Sequence, residues 1–317
     1  MKEIRLLTML LVGSGLPIDD VFRVIETAPR RYKTYLIPKR SGGWREIAQP
    51  ARELKALQYV LLNQVLSEFP VHAAASAYEQ GRSIKANADK HAGARRILKL
   101  DFRSFFPSIK PKDWEALVRR SQCIQISNDD LKIMSRLLFW GGGSVRPVKL
   151  SIGAPTSPRL SNLILYDLDC ALSQFAAESG VSYTRYADDI TLSGNQLDAI
   201  LLVEKEARRL IKVSRSPNLS FNEEKRGLYH RGQRQMVTGL ILTPNGKVSI
   251  GRDRKRLVSS LLHKVKLGIA TPAQIGMAKG YLAFAISAEA AFVNRMRHKY
   301  GTECVSFVLS FEIPPRT

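Results

Sequence analysis

Two adjacent carboxylates in Tyr186-Ala187-Asp188-Asp189 constrain this chain more than any other feature, because they lie between two strand-like stretches, Val181 to Arg185 and Ile190 to Ser193. Such stretches around a short polar tetrad read as a hairpin with both acids at its tip. Upstream, Leu98-Lys99-Leu100-Asp101 ends an apolar strand on a lone acid, followed by Phe102-Arg103-Ser104-Phe105-Phe106-Pro107. Two strands can bring three carboxylates together. A pair ~4 Å apart repels by roughly 4 kcal/mol at an effective dielectric of ~20, so the cluster requires cations. Magnesium takes carboxylate and phosphate oxygens in octahedral geometry, and two such ions can hold both oxygens of an in-line phosphoryl transfer. Alone, Asp188-Asp189 reads equally well as a solvated turn; the Asp101 segment weighs against that.

The remaining composition narrows the partner. With 317 residues, 44% of them apolar, the chain fills one large core or two modest ones. Lys and Arg number 49 against 28 Asp and Glu, and the formal charge of +21 is spread along the chain rather than confined to a tail. Such a field favours a polyanion. If six to ten of these cations met phosphates, affinity would fall by roughly 10³ to 10⁵ between ~50 and ~200 mM salt. Cys123, Cys170 and Cys304 are far apart and odd in number, which fits neither a disulfide framework nor a zinc site. The apolar run Leu6 to Val12 after a basic start reads as a short helix rather than a signal peptide. No other stretch approaches the roughly 20 apolar residues of a membrane span, and a cytoplasmic protein is expected.

Along the chain, Tyr32 to Pro38, a turn at Ser41-Gly42-Gly43 and Trp44 to Ala48 read as a hairpin. Leu54, Leu57, Val60, Leu61 and Val65 recur at helical spacing, and helices are expected over Ser83 to His91, around Trp114 to Arg119, and from Asp129 to Trp140. Gly141-Gly142-Gly143 breaks the last as a candidate hinge. Ser151 to Pro158 reads as a turn-rich loop before a helix from Leu160 to Phe175, and Leu197 to Val213 as a further helix. Leu219 to Phe221, Val237 to Leu242 and Lys247 to Ile250 read as strands. After Gly251 the chain turns helical and basic, through Arg252, Arg254, Lys255, Arg256, His263, Lys264 and Lys266. An α+β core with a small helical domain is the expected architecture.

On these residues the chain resembles a reverse transcriptase over nearly its full length. Leu100-Asp101 with Phe105-Phe106 resembles the first catalytic motif, Gly153-Ala154-Pro155-Thr156-Ser157-Pro158 the second and Tyr186-Ala187-Asp188-Asp189 the third. Asn222 with Lys225 resembles the motif that follows, and Lys39, Gly42-Gly43 and Arg45 the fingers motif. The resemblance implies an α+β right-hand polymerase with fingers, a palm built on an antiparallel sheet and a small helical thumb. Its segments would be an N-terminal helical segment over 1–29, fingers and palm over 30–240 and an RNA-binding thumb over 241–317. It further implies Asp101, Asp188 and Asp189 as ligands of two Mg²⁺ ions, deoxynucleoside triphosphates as substrates, and Lys225 as proton donor to the leaving pyrophosphate. Lys39, Arg45, Phe106, Gly153, Ala154 and Pro155 would line the nucleotide site. Phe106 would lie where a ribose 2′-hydroxyl projects and exclude ribonucleotides by a clash, while the Arg45 fork and the Lys39 point charge suit the triphosphate.

Within that family Asn87-Ala88 with His91, and Val237-Thr238-Gly239, resemble two elements typical of retron enzymes. A retron enzyme binds a structured non-coding RNA encoded beside it and extends from a guanosine 2′-hydroxyl, making a branched RNA-DNA hybrid, multicopy single-stranded DNA. The implied biology is antiphage defence with a separately encoded effector, since a fused effector is not expected here. Ile152 departs from the pattern, standing where many relatives carry a glutamine before Gly153-Ala154-Pro155. Rival readings are a non-retron bacterial reverse transcriptase, an RNA-binding scaffold with little synthesis, and a metal-dependent nuclease. The intact acids weigh against the scaffold; Phe106 and the Gly153 to Pro158 loop weigh against the nuclease.

Overall fold

A computed structural model describes residues 2–3, 5–39, 42–121, 123–214 and 216–312. The chain forms two compact units, one of residues 1–80, 99–190 and 198–227, the other of residues 81–98, 191–197 and 228–317.

In the first unit the strands Tyr32–Pro38 and Trp44–Pro50 pair antiparallel, from Tyr32 opposite Pro50 to Pro38 opposite Trp44. Gly42 and Gly43 stand at φ +87° and +78°, a left-handed turn that glycine adopts without cost; Ser41 of the expected turn lies outside the described residues. The helix Arg52–Gln64 buries Leu54, Leu57, Val60 and Leu61 on one face, as their spacing requires. Behind the acids, Phe102 stacks on Phe221 at 5.1 Å and on Phe105 at 5.6 Å. These rings are buried next to the strand end at Asp101.

The central sheet has the strand order Ser182–Tyr186, Asp189–Gly194, Arg96–Asp101, Gly227–His230. The first two form the expected hairpin around the acids. The edge strand Gly227–His230 was not expected, whereas Leu219 to Phe221 contributes only a bridge between Phe221 and Phe102.

Two further expectations are corrected. The helix expected from Leu160 to Phe175 starts earlier, at Thr156, runs to Ile164, and is followed by a separate helix, Tyr166–Glu178. Prolines 155 and 158 suggested a loop. Both fall at the helix start, where the missing N–H is an orphan anyway. Nothing local signals the break at Leu165. The strand expected over Val237 to Leu242 is a tight hairpin of Met236–Val237 and Leu240–Leu242, with Val237 opposite Leu240. Thr238 and Gly239 both have positive φ, +47° and +79°, as a two-residue hairpin loop demands.

The second unit packs the helices Arg252–Lys266, Pro272–Ala288, Ala290–Tyr300 and Thr302–Ser310 around one apolar cluster. That cluster takes in Val258, Leu262, Leu282, Val293 and Val305, and also Ala88 and Ile97 from the upstream segment. A capping box of Thr271 and Gln274 starts the second of these helices. The two retron-like elements meet here: Thr238 Oγ1 donates to Ile84 O of the helix Ile84–Asp89 at 2.9 Å, and Asn87 and Ala88 lie on that helix. His91 is buried, with Nδ1 2.7 Å from Ser193 Oγ, and burial lowers its pKa to about 4. Among the described residues no helix is long and apolar enough to cross a membrane.

Candidate active site

Asp101 ends the strand Arg96–Asp101, and Asp189 opens the strand Asp189–Gly194. The backbone ties the two acid segments together: Phe102 N donates to Asp188 O at 3.0 Å, and Asn222 N donates to Asp101 O at 2.7 Å. Three non-glycine residues around these acids hold left-handed backbone, Tyr78 at φ +68°, Ser104 at +47° and Ala187 at +57°. Such conformations cost of order 1–3 kcal/mol and persist only where neighbours over-determine them.

The charges confirm the crowding. Burial raises the Asp188 pKa, and the Asp101 charge raises it further. Asp189 is pushed up to about 6, chiefly by burial and then by the Asp188 and Asp101 charges, with Lys99 opposing. Lys225 answers the repulsion with Nζ 2.7 Å from Asp101 Oδ2. Burial works against its charge, but the Asp101 bond and the neighbouring acids outweigh burial and raise its pKa. Among the described residues no group of three or more acid, histidine or cysteine side chains stands ready to hold a metal ion. The donor set nonetheless fits hard divalent cations: hard oxygen ligands, mutually repelling, with a lysine ammonium supplying the compensating charge.

The other expected residues are placed as follows. Phe106 is half-buried in the short helix Phe105–Ser108, with its ring 5.4 Å from Phe105. Arg45 is exposed on the strand Trp44–Pro50, and its charge is felt at Asp188. Lys39 is exposed just past the strand Tyr32–Pro38, with N bonded to Gly43 O at 2.9 Å. Gly153 meets that hairpin: a Cβ on it would lie 2.8 Å from Ala48 O, so only glycine fits. The contact is fixed by Ala48 N donating to Ile152 O at 2.9 Å, a bond that uses the Ile152 backbone and not its side chain. Ala154 is buried and Pro155 caps the helix Thr156–Ile164.

Behind the acid turn sits a network that sequence reading missed. Arg185, fully buried, bonds Asp169 through Nε at 2.9 Å and Nη2 at 2.5 Å, Asn162 Oδ1 at 3.0 Å and Ala187 O at 3.1 Å. Tyr183 OH donates to Asp169 Oδ1 at 2.6 Å. The signal was available in principle: an Arg in a strand and an Asp on a helix that both otherwise bury apolar residues imply a buried pair.

A family model described as reverse transcriptase (RNA-dependent DNA polymerase) matches residues 37–259. The retron Ec83 reverse transcriptase of Escherichia coli is 35% identical over 88% of this chain and 90% of its own length. The chain belongs to the retron-type reverse transcriptases. The retron Ec73 enzyme of Escherichia coli is 33% identical over 87% of this chain and 89% of its own. The retron Mx65 enzyme of Myxococcus xanthus is 35% identical over 74% of this chain, which spans 56% of that longer protein. The fold is therefore the α+β right-hand polymerase, and the activity that of an RNA-directed DNA polymerase.

Proposed function

We propose that this reverse transcriptase copies part of a cognate structured non-coding RNA, priming from a guanosine 2′-hydroxyl, and so produces a branched RNA-DNA hybrid. What supports the reading is the joining of Asp101 to the Asp188 turn through Phe102 N, in a chain 35% identical to a retron enzyme across most of its length. Asp101, Asp188 and Asp189 would hold two Mg²⁺ ions. When bound, these ions supply the positive charge that activates the primer hydroxyl and offsets charge on the leaving pyrophosphate.

The chain's own residues do the rest. Arg45 and Lys39 grip the triphosphate of the incoming deoxynucleotide, and Gly153, Ala154 and Pro155 let the fingers hairpin close beside it. Phe106 blocks a 2′-hydroxyl. Lys225 holds its proton through Asp101 in the resting site and delivers it to the departing pyrophosphate. Residues 30–240 serve as fingers and palm, after a helical segment over 1–29. Residues 241–317 act as the thumb, whose basic helix Arg252–Lys266 grips an A-form-like duplex by shape. The biological setting is cytoplasmic antiphage defence with a separately encoded effector.

The test is to express the chain with its flanking DNA, isolate small nucleic acids and look for ribonuclease-resistant DNA carrying a 2′-linked RNA branch, beside an Asp188→Asn/Asp189→Asn control. Branched DNA in the wild type alone is the expected result. Primer extension without any branch would sink the retron priming and leave only polymerisation.

A further inference from the structure

Tyr78 lies in a loop outside the motifs above, yet it holds one of the left-handed backbone conformations near the acids. At φ +68° it occupies a region that a bulky aromatic side chain rarely tolerates. Both neighbours are clamped. Asn162 Nδ2 donates to Ala77 O at 2.9 Å and to Glu79 Oε1 at 3.2 Å, and Arg159 pairs with Glu79. Just upstream, Ser76 N donates to Arg185 O at 2.7 Å and Arg185 N to Ala74 O at 2.9 Å. The Asn162 amide that fixes Ala77 also accepts from Arg185, and Arg185 in turn holds Ala187 O of the acid turn. One frame therefore sets two left-handed residues, Tyr78 and Ala187.

The strain is maintained to present a ring. Ala77 is 1% exposed, but Tyr78 is 48% exposed, an aromatic turned outward from a buried stem. Its ring centroid is 6.4 Å from that of Phe106, tilted by 40°. Its hydroxyl pKa is pushed up to about 12, first by burial and then by the Asp188 and Tyr186 charges, with Arg185 and, less, Arg45 opposing, so the half-exposed side chain beside Phe106 senses the acid turn.

We propose that Tyr78 packs against the nascent base pair beside Phe106 and sets the affinity for the incoming nucleotide. The inference concerns the polymerase reaction itself; only the placing of that nucleotide beside Phe106 and Arg45 rests on the function proposed above. An aromatic face under a base is worth about 1–3 kcal/mol, or roughly 5- to 150-fold in binding.

The test is single-nucleotide extension of a primer on RNA with Mg²⁺, comparing wild type, Tyr78→Gly and Tyr78→Phe. Glycine accepts φ +68° without strain, which offsets part of the entropy that glycine adds to the unfolded chain, and the melting temperature of each variant, measured beside its kinetics, separates misfolding from lost affinity. The expected result is a KM for the deoxynucleotide raised about 5- to 150-fold in Tyr78→Gly, a smaller change in kcat, and near wild-type values in Tyr78→Phe. An unchanged KM in Tyr78→Gly overturns the inference while leaving polymerisation intact. A KM lost equally in Tyr78→Phe overturns it too, since the hydroxyl and not the ring would then matter. A wild type that extends no primer overturns the polymerase activity and this inference together.

Discussion

The two sides of the acid turn handle charge in opposite ways. Behind it, Arg185 and Asp169 are both wholly buried and closed: two direct bonds join them, and Tyr183, Asn162 and Ala187 O satisfy the remaining atoms. In front, the Asp101 carboxylate meets Lys225, whose side chain is 51% exposed, while Asp188 and Asp189 are raised by burial and by their neighbours' charges. A closed pair has no capacity to bind anything else. An open cluster with excess negative charge stores repulsion that an incoming cation relieves. The strand Ser182–Tyr186 and its turn thus carry structure on one side and chemistry on the other.

The sharpest break of this comparison is Arg185→Met. It leaves Asp169 buried without its cation, which costs about 3–5 kcal/mol, and chemical denaturation should show the loss directly. Arg185→Met combined with Asp169→Leu should recover most of it, because an apolar replacement of a whole buried pair is often neutral. If the single variant were as stable as the wild type, the rear network would not be a fixed frame.

Asp188→Asn should do the reverse. Extension falls by at least about 10²–10³-fold, the range for removing one preorganised charge-stabilising group, while the fold is retained or gains stability as repulsion is relieved. Asp189 adds a pH dependence. Its pKa of about 6 means that below that pH it takes up a proton in the metal-free protein, and ligands must be deprotonated to bind metal. Mg²⁺ affinity, followed by calorimetry, should therefore weaken as pH drops through about 6. Equal Mg²⁺ affinity at pH 5 and 7.5 would break the link between the front cluster and cation binding.

The contrast also explains what the sequence could and could not disclose. Asp101, Asp188 and Asp189 were legible because acids at the ends of apolar strands are locally anomalous, and the 32–50 hairpin because glycines separated two strand-like runs. The helical, basic turn of the chain after Gly251 was legible from Arg252 to Lys266, whereas Pro272–Ala288 with its single lysine and Thr302–Ser310 with no basic residue carry no such signal. Tyr78 was not, since its left-handed backbone is imposed by Asn162 and Arg159, residues far along the chain, and glycine or asparagine is the usual local sign of that conformation. The early start of the helix at Thr156 was hidden by prolines that suit a first turn as well as a loop. The split of Val237 to Leu242 was hidden because Thr238, β-branched, reads as strand while sitting in a turn.

His91 offers a third setting, a buried titratable group with Nδ1 2.7 Å from Ser193 Oγ, and sharpens the comparison at its small end. Burial lowers its pKa from 6.5 to about 4, with the Lys90 charge adding to the effect. The folded protein therefore keeps His91 neutral where the unfolded chain begins to protonate it. The sign follows: the unfolded state binds more protons, so stability is fully present above pH ~6.5 and is lost as pH falls toward 4. The loss is at most about 3 kcal/mol from a shift of this size. Comparing denaturation of wild type and His91→Asn at pH 7.5 and 4.5 isolates it. The variant should be the less stable at pH 7.5, having lost the bond to Ser193, but should lose less on acidification. Equal acid sensitivity in the two proteins would mean that the imidazole is charged in the fold, and that even this buried site is open in the sense that the front of the acid turn is.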